Sequence, residues 1–167
     1  MEIRPAHPNE HAALGEICLR AYRHLGSVSD GYAAKLRDVA GRAQTDRVLT
    51  AVNRRAHAAE GGGSDLLGCV TVILGDSPWR EISGPDEGEF RMLAVDPAAQ
   101  GRGVGEGLVQ ASVDVICAAD RRRVVVSTAD DMTAAHRLYE RLGFTRAPER
   151  DWRPVPDVQL RVYELAL

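Results

Sequence analysis

Short apolar runs alternate with stretches of helical spacing along the whole chain. Glu2 to Arg4 predicts a first strand, stopped by Pro5. Pro8-Asn9 then opens a helix in which Leu14, Ile17, Cys18, Ala21, Tyr22 and Leu25 share one face, with Gly26 as its C′ residue. Asp30 is placed to cap a second helix reaching about Ala43, with Leu36, Val39, Ala40 and Ala43 inward. Asp46 to Asn53 predicts strand two, and Gly61-Gly62-Gly63-Ser64 predicts a flexible hairpin connection. Leu66 to Leu74 is almost continuously apolar, as a strand covered on both faces is. After a loop over 75–88, Phe90 to Val95 predicts strand four. A long helix follows, with Val104, Leu108, Ala111, Val115 and Ala119 on one face. Val124 to Ser127 predicts strand five. Thr133 to Leu142 predicts a helix capped by Asp130 or Asp131 and ended by Gly143. Phe144 starts strand six, and Val158 to Leu167 forms the last strand after a loop over 151–157. The order β-α-α-β-β-β-α-β-α-β-β predicts an α/β (α+β) fold with a mixed sheet of about seven strands and about four helices. No repeat or internal linker divides it, so residues 1–167 are expected to form a single domain.

One stretch concentrates the chemistry. Asp96-Pro97 stops strand four, and Gln100 to Gly107 then sets glycines at 101, 103, 105 and 107 at a helix start. The first amides of a helix have no internal partner, and the dipole makes that end positive. Glycines let backbone approach a phosphate with no Cβ in the way. A phosphate-bearing ligand held mostly by main chain is therefore expected. A P-loop is excluded, since no Gly-Lys pair occurs. A Rossmann loop is excluded too, since its third glycine would fall at Glu106 or Leu108.

The spacing Q-x-x-G-x-G is met by Gln100, Gly103 and Gly105. It resembles the coenzyme A pyrophosphate loop of the GCN5-related N-acetyltransferases (GNAT superfamily). Leu93 to Gly105 looks like that family's signature, and Ala135-His-Arg-Leu-Tyr-Glu-Arg-Leu-Gly-Phe144 looks like its A-x-x-L-Y-x-x-x-G-F segment. The element order agrees, so the resemblance covers nearly the whole chain. It implies a mixed, mostly antiparallel sheet and acetyl-CoA (coenzyme A) as cofactor. Main chain of Leu93, Ala94 and Val95 would meet the oxyanion and pantetheine. Gln100, Gly101, Arg102, Gly103, Val104, Gly105 and Glu106 would meet the pyrophosphate. Arg102 reads equally as an exposed loop arginine. One position departs: Met132 stands where many relatives place a cofactor-contacting asparagine, so that contact is absent or replaced by Asp130, Asp131 or Thr133.

Composition narrows the class. The chain has 167 residues, 44% of them hydrophobic, and a formal net charge of −3, which gives no bulk signal for nucleic acid. Arg121-Arg122-Arg123 reads as a solvated turn. Cys18, Cys69 and Cys117 read as buried thiols of a reduced compartment rather than as disulfides or metal ligands. No signal segment or membrane-length run is found, so a cytoplasmic protein without membrane partners is expected.

Acyl transfer from a thioester to an amine needs a base for the amine, donors for the oxyanion and a proton for the thiolate. The resemblance points to Glu89 as base. By strand alternation Glu89 shares a face with Arg91, Leu93 and Val95, and its alternative is a solvated acid. The resemblance points to Tyr139 as acid, turned away from a packed Leu138, Leu142 and Phe144; its alternative is a half-buried core tyrosine. His136 reads as a helix-surface histidine. The expectation is an N-acetyltransferase acting directly on a small-molecule amine or a protein N-terminus. Asp76, Glu81, Asp86, Glu87 and Glu89 form a local negative field that points to a cationic acceptor. A coenzyme A binding module without catalysis, or a nucleotide or phosphosugar binder, are the rival readings. The apolar last strand offers a possible homodimer edge.

Overall fold

The computed structural model describes residues 1–26, 28–53 and 65–167. The Gly61–Ser64 hairpin connection and Ser27 lie outside the described residues. The strands are β1 (Glu2–Pro5), β2 (Arg47–Val52), β3 (Leu66–Ile73), β4 (Glu87–Val95), β5 (Arg123–Ala129), β6 (Thr145–Arg146), β7 (Trp152–Val155) and β8 (Val158–Ala166). The α-helices are α1 (His11–Leu25), α2 (Asp30–Arg37), α3 (Val39–Thr45), α4 (Val104–Cys117) and α5 (Thr133–Arg141). The α/β class expected from the sequence is what the chain adopts.

Two compact units make up the chain, and the chain passes between them more than once. The first holds Met1–Val72 and Met92–Ser112; the second holds Ile73–Arg91 and Val113–Leu167. Strand order is β1-β2-β3-β4 in the first unit and β4-β5-β8-β6 in the second, with β7 against β8. In the first unit β1 and β2 pair antiparallel, as do β2 and β3. All eight residues of β3 are buried, as its continuous apolar run predicts. Gly68 is required there: a Cβ would come 2.4 Å from the carbonyl oxygen of Ala94, so only glycine lets β3 lie this close to β4.

In the second unit β4 pairs parallel with β5, and β5 pairs antiparallel with β8 along seven residues. β6 and β7 both lie antiparallel against β8. β8 is therefore an interior strand, with β5 on one side and β6 and β7 along parts of the other. β7 occupies part of the expected loop over 151–157. Its first residue pairs with Leu160 and its last with Val158, a short hairpin that the polar run Asp151 to Asp157 concealed.

Several local expectations are corrected. The helix expected from Asp30 to Ala43 is two helices. Asp38 breaks it with a non-helical φ/ψ of −77°/59°, and its carboxylate accepts a hydrogen bond from Gly41 N. That is the competition by which aspartate favours caps over helix interiors. Ser29, not Asp30, caps α2, accepting from Tyr32 N. Met132 occupies the N-cap of α5 with no side-chain bond from Asp130 or Asp131. Gly26 has φ 166°, extended backbone rather than a left-handed C′. Ala40 is exposed, and the inward position on α3 belongs to Arg42, fully buried.

The cysteines also diverge from expectation. Cys117 is exposed. Cys18 of α1 and Cys69 of β3 are buried with their sulfurs 3.3 Å apart. Arg42 donates to Thr71 Oγ1 at 2.7 Å and to the Leu36 carbonyl at 2.9 Å, and lies 3.7 Å from Cys18 Sγ. The Cys69 contact and the Arg42 charge lower the Cys18 thiol, while the same contact and burial raise that of Cys69.

Candidate active site

The first unit carries the glycine loop. Asp96 ends β4: its N–H donates to Leu67 O at 2.8 Å, and its carboxylate accepts from Ala98 N at 3.0 Å. Arg20 Nη2 pairs with the same carboxylate at 2.5 Å, and the Asp96 carboxyl is held below its usual range although desolvation opposes this. Pro97–Ala99 forms one 3-10 turn, and Gln100 leaves it in extended backbone. Gly101 and Gly103 then take φ of 72° and 76°, the left-handed region that favours glycine. A Cβ at either would meet nothing within 4 Å, so the requirement is conformational rather than steric.

α4 opens at Val104, with Gly103 O accepting the Gly107 N–H at 3.0 Å. Val104 is buried and anchors the turn, while Gln100, Gly101, Arg102, Gly103 and Glu106 are exposed and Gly105 is half-buried. The buried face of α4 runs Val104, Leu108, Val109, Ser112 and Ile116. Ala111, Val115 and Ala119, expected inward, are half-buried. A glycine turn at a helix start of this kind can hold a phosphate.

β4 enters this loop through Leu93, Ala94 and Val95, of which Ala94 is buried and the others half-buried. Met92 before them has φ 52°. A non-glycine residue there costs about 1–2 kcal/mol and interrupts the extended run. Glu89 and Arg91 are therefore not related to Leu93 and Val95 by simple alternation.

The second unit carries the carboxylate and the tyrosine. Glu89 is 0% exposed, so the solvated-acid reading is wrong. Its Oε2 accepts three consecutive backbone N–H groups, from Glu81 at 3.1 Å, Ile82 at 3.1 Å and Ser83 at 3.2 Å. Its Oε1 is buried with no hydrogen-bond partner among the described residues; the nearest cationic atom is Arg91 Nε at 3.7 Å.

Tyr139 is 3% exposed, on the buried face of α5 with His136. Leu138 and Leu142 are only half-buried, so the expected orientation of this helix is rotated. The Tyr139 ring lies about one ring-packing distance from Phe90, Phe144 and Tyr163, at 5.8 Å from each centroid. Desolvation, then Tyr163, pushes its hydroxyl well above the usual tyrosine range, so an ordinary acidity is not what it has. His136 is buried rather than on the surface: its Nε2 meets Ala129 O at 3.0 Å and its ring lies 5.6 Å from Tyr163. Met132 Sδ accepts from Thr128 Oγ1 at 3.5 Å, and Asp130 is ion-paired with Arg161.

The acidic loop proves largely compensated within this unit. Asp76 pairs with Arg80 at 3.1 Å, Glu81 with Arg91, and Glu87 with Arg150 at 2.7 Å. Sequence spacing could not reveal the second and third, because their partners come from β4 itself and from the turn before β7.

The first unit thus carries the glycine loop at the end of β4, and the second a buried carboxylate on β4 and a buried tyrosine on α5. The acetyltransferase (GNAT) domain model matches residues 52–146, more than half of the chain, and the chain belongs to that family. Acetyl-coenzyme A is the family's cosubstrate. Among curated proteins, the mycothiol acetyltransferase of Gordonia bronchialis is 43% identical over 68 residues, covering 41% of this chain and 22% of that protein. That of Geodermatophilus obscurus is 38% identical over 88 residues, covering 48% and 28%. The chain thus spans about a quarter of the length of these relatives. Among solved structures, yncA of Salmonella typhimurium, a candidate acetyltransferase solved with its cofactor acetyl-CoA, has a TM-score of 0.69 at 22% identity, covering 99% of this chain and 93% of that one. A GNAT-family acetyltransferase of Staphylococcus aureus Mu50 has a TM-score of 0.73 at 15% identity, covering 99% and 98%. These two share the fold. Among the described residues, no helix is long and apolar enough to cross a membrane.

Proposed function

We propose that the chain moves the acetyl group of acetyl-coenzyme A directly to a primary amine, with Glu89 as base and the Tyr139 hydroxyl as hydrogen-bond donor to the departing sulfur. The observation that carries this is Glu89 Oε1: a buried carboxylate oxygen with no hydrogen bond, on a side chain whose other oxygen is fixed by three amides. An acid present only to tie down the loop has no use for a second, unbonded oxygen in a dry place, since leaving one costs roughly 1–3 kcal/mol. An amine nucleophile arrives as an ammonium, with a pKa near ~10.4 for a lysine-like group, and must lose a proton before it attacks. Oε1 accepts that proton, directly or through water.

The phosphates of the cofactor rest against the main chain of Gln100, Gly101, Arg102, Gly103, Val104, Gly105 and Glu106. Main chain of Leu93, Ala94 and Val95 serves the pantetheine and the oxyanion. The new C–N bond forms as the C–S bond breaks, the nitrogen's second proton leaving to water or to the departing thiolate, and the Tyr139 hydroxyl hydrogen-bonds that sulfur. A coenzyme A thiolate, near pKa ~8.5, leaves most readily when a donor faces it. Tyr139 is protonated throughout the neutral range, and transferring its proton fully would leave a buried phenolate beside Tyr163. Its contribution is thus a hydrogen bond to the sulfur. No cysteine is required as nucleophile: Cys18 and Cys69 are buried against each other, and Cys117 is exposed at the end of α4.

The acceptor is a small cationic amine. With the neighbouring acids paired, the attraction for cations rests on Glu89 rather than on a broad field. The names of the curated relatives put a mycothiol-type acceptor on the test panel beside polyamines, amino acids and an N-terminal peptide. The experiment is steady-state acetylation of that panel by wild type and Glu89→Gln. Glu89→Gln should keep the KM for acetyl-coenzyme A and lose about 10²–10⁴-fold in kcat, as removal of a general base does. Wild-type turnover in a folded Glu89→Gln protein overturns the reading.

A further inference from the structure

We propose that Arg91 is a positioning residue for this reaction: it shapes the turn that holds Glu89 and so selects which carboxylate oxygen takes the proton. The inference rests on the reading of Glu89 as the base. It starts from the unequal treatment of the two oxygens. Oε2 accepts from the N–H groups of residues 81, 82 and 83, and Oε1 accepts from none. Three successive amides point at one atom where the backbone curls into a concave nest.

Arg91 holds its entry at two points. Its Nη1 donates to the Trp79 carbonyl at 2.5 Å, just before the nest, and its Nη2 is ion-paired with the Glu81 carboxylate, at the start of it. Its side chain is 13% exposed, so this clasp is shielded from solvent. The third edge of the same guanidinium presents Nε 3.7 Å from Glu89 Oε1. That distance is too long for a hydrogen bond. Arg91 therefore fixes Oε2 through the nest and leaves the lone pairs of Oε1 unoccupied. A planar fork with five donors can span a carbonyl, a carboxylate and a second carboxylate at once; an ammonium on a flexible stem cannot.

The test is a double-mutant cycle on the full chain, reading kcat and the KM for acetyl-coenzyme A with a polyamine acceptor. Arg91→Gln should lower kcat by about 10- to 100-fold, the cost of a misplaced catalytic group, and leave the cofactor KM within about twofold. In the Glu89→Gln background the same change should have no further effect, because a residue acting through the base has nothing left to act on. Arg91→Lys should not restore kcat, whereas added methylguanidinium should raise kcat of Arg91→Gln and not of the double variant. Glu81→Gln, which weakens one end of the clasp and disturbs folding less, should show a smaller loss that also vanishes in the Glu89→Gln background. Additive losses across the cycle, or wild-type kcat in both Arg91→Gln and Glu81→Gln, overturn the role of Arg91 while leaving Glu89 as base. Wild-type kcat in Glu89→Gln alone removes the base itself, and the proposal with it.

Discussion

Tyr139 is where a single residue changes most between sequence and structure. Its place in an A-x-x-L-Y-x-x-x-G-F segment is readable, but its burial among Phe90, Phe144 and Tyr163 is not, because Phe90 comes from β4 and Tyr163 from β8. Burial holds the proton on oxygen, so Tyr139→Phe should cut kcat by about 100-fold with no basic limb attributable to this hydroxyl below pH 10. Cofactor affinity should be unchanged; lost affinity with intact turnover would make Tyr139 a binding residue. Arg42 and Glu89 were hidden in the same way. A hydrophobic pattern assigns charges to the surface, and nothing local marks the ones that tertiary contacts bury. Asp151 shows the ordinary case. Arg146 bonds it at 2.7 and 2.9 Å and lowers its carboxyl, so its stabilisation is present above an unfolded pKa near ~3.9 and is lost as pH falls through the lower folded value. Asp151→Asn should cost about 1 kcal/mol at pH 7, less as pH drops below 4, as chemical denaturation across that range would measure.

At the scale of elements, the glycine loop and the end of β4 were the most legible, and the reason is backbone chemistry. Gly101 and Gly103 sit at positive φ, and Asp96-Pro97 ends β4 through a bond to Ala98, so local sequence encodes local shape there. The break between α2 and α3 was not legible, since Asp38 suits a helix interior or a cap, and only its bond to Gly41 decides. β7 was missed because Asp151, Arg153, Pro154 and Pro156 read as loop, and its pairing with β8 is a long-range choice. The glycine loop makes its own prediction. Gly103→Glu places a negative side chain on the glycine turn and an L-residue at φ 76°. It should weaken coenzyme A binding by at least about tenfold, equivalent to ~1.4 kcal/mol, while circular dichroism shows the fold retained. Unchanged affinity, read by calorimetry, would move the phosphates elsewhere.

At the scale of the whole molecule, counting charges along the sequence suggested an acidic approach for the acceptor, and pairing in space revises that suggestion. The net charge of −3 is small, and the acids of the 76–89 segment mostly meet arginines: Asp76 with Arg80, Glu81 with Arg91, Glu87 with Arg150 and with Arg123 at 3.6 Å. Long-range steering needs uncompensated surface charge, and its strength falls as salt shortens the Debye length from ~30 Å at 0.01 M to ~8 Å at 0.15 M. Little of that remains here. A buried carboxylate acts differently, because ions that screen the surface do not enter the space around it. The preference for a cationic amine should therefore survive moderate salt. Amines of matched size, one cationic and one neutral at pH 7, should differ in kcat/KM in favour of the cation, and the ratio should change less than about threefold between 0.01 and 0.15 M salt. A ratio that collapses over that range would return the selectivity to surface steering. An acidic acceptor that outperforms both would show that Glu89 does not face the amine at all.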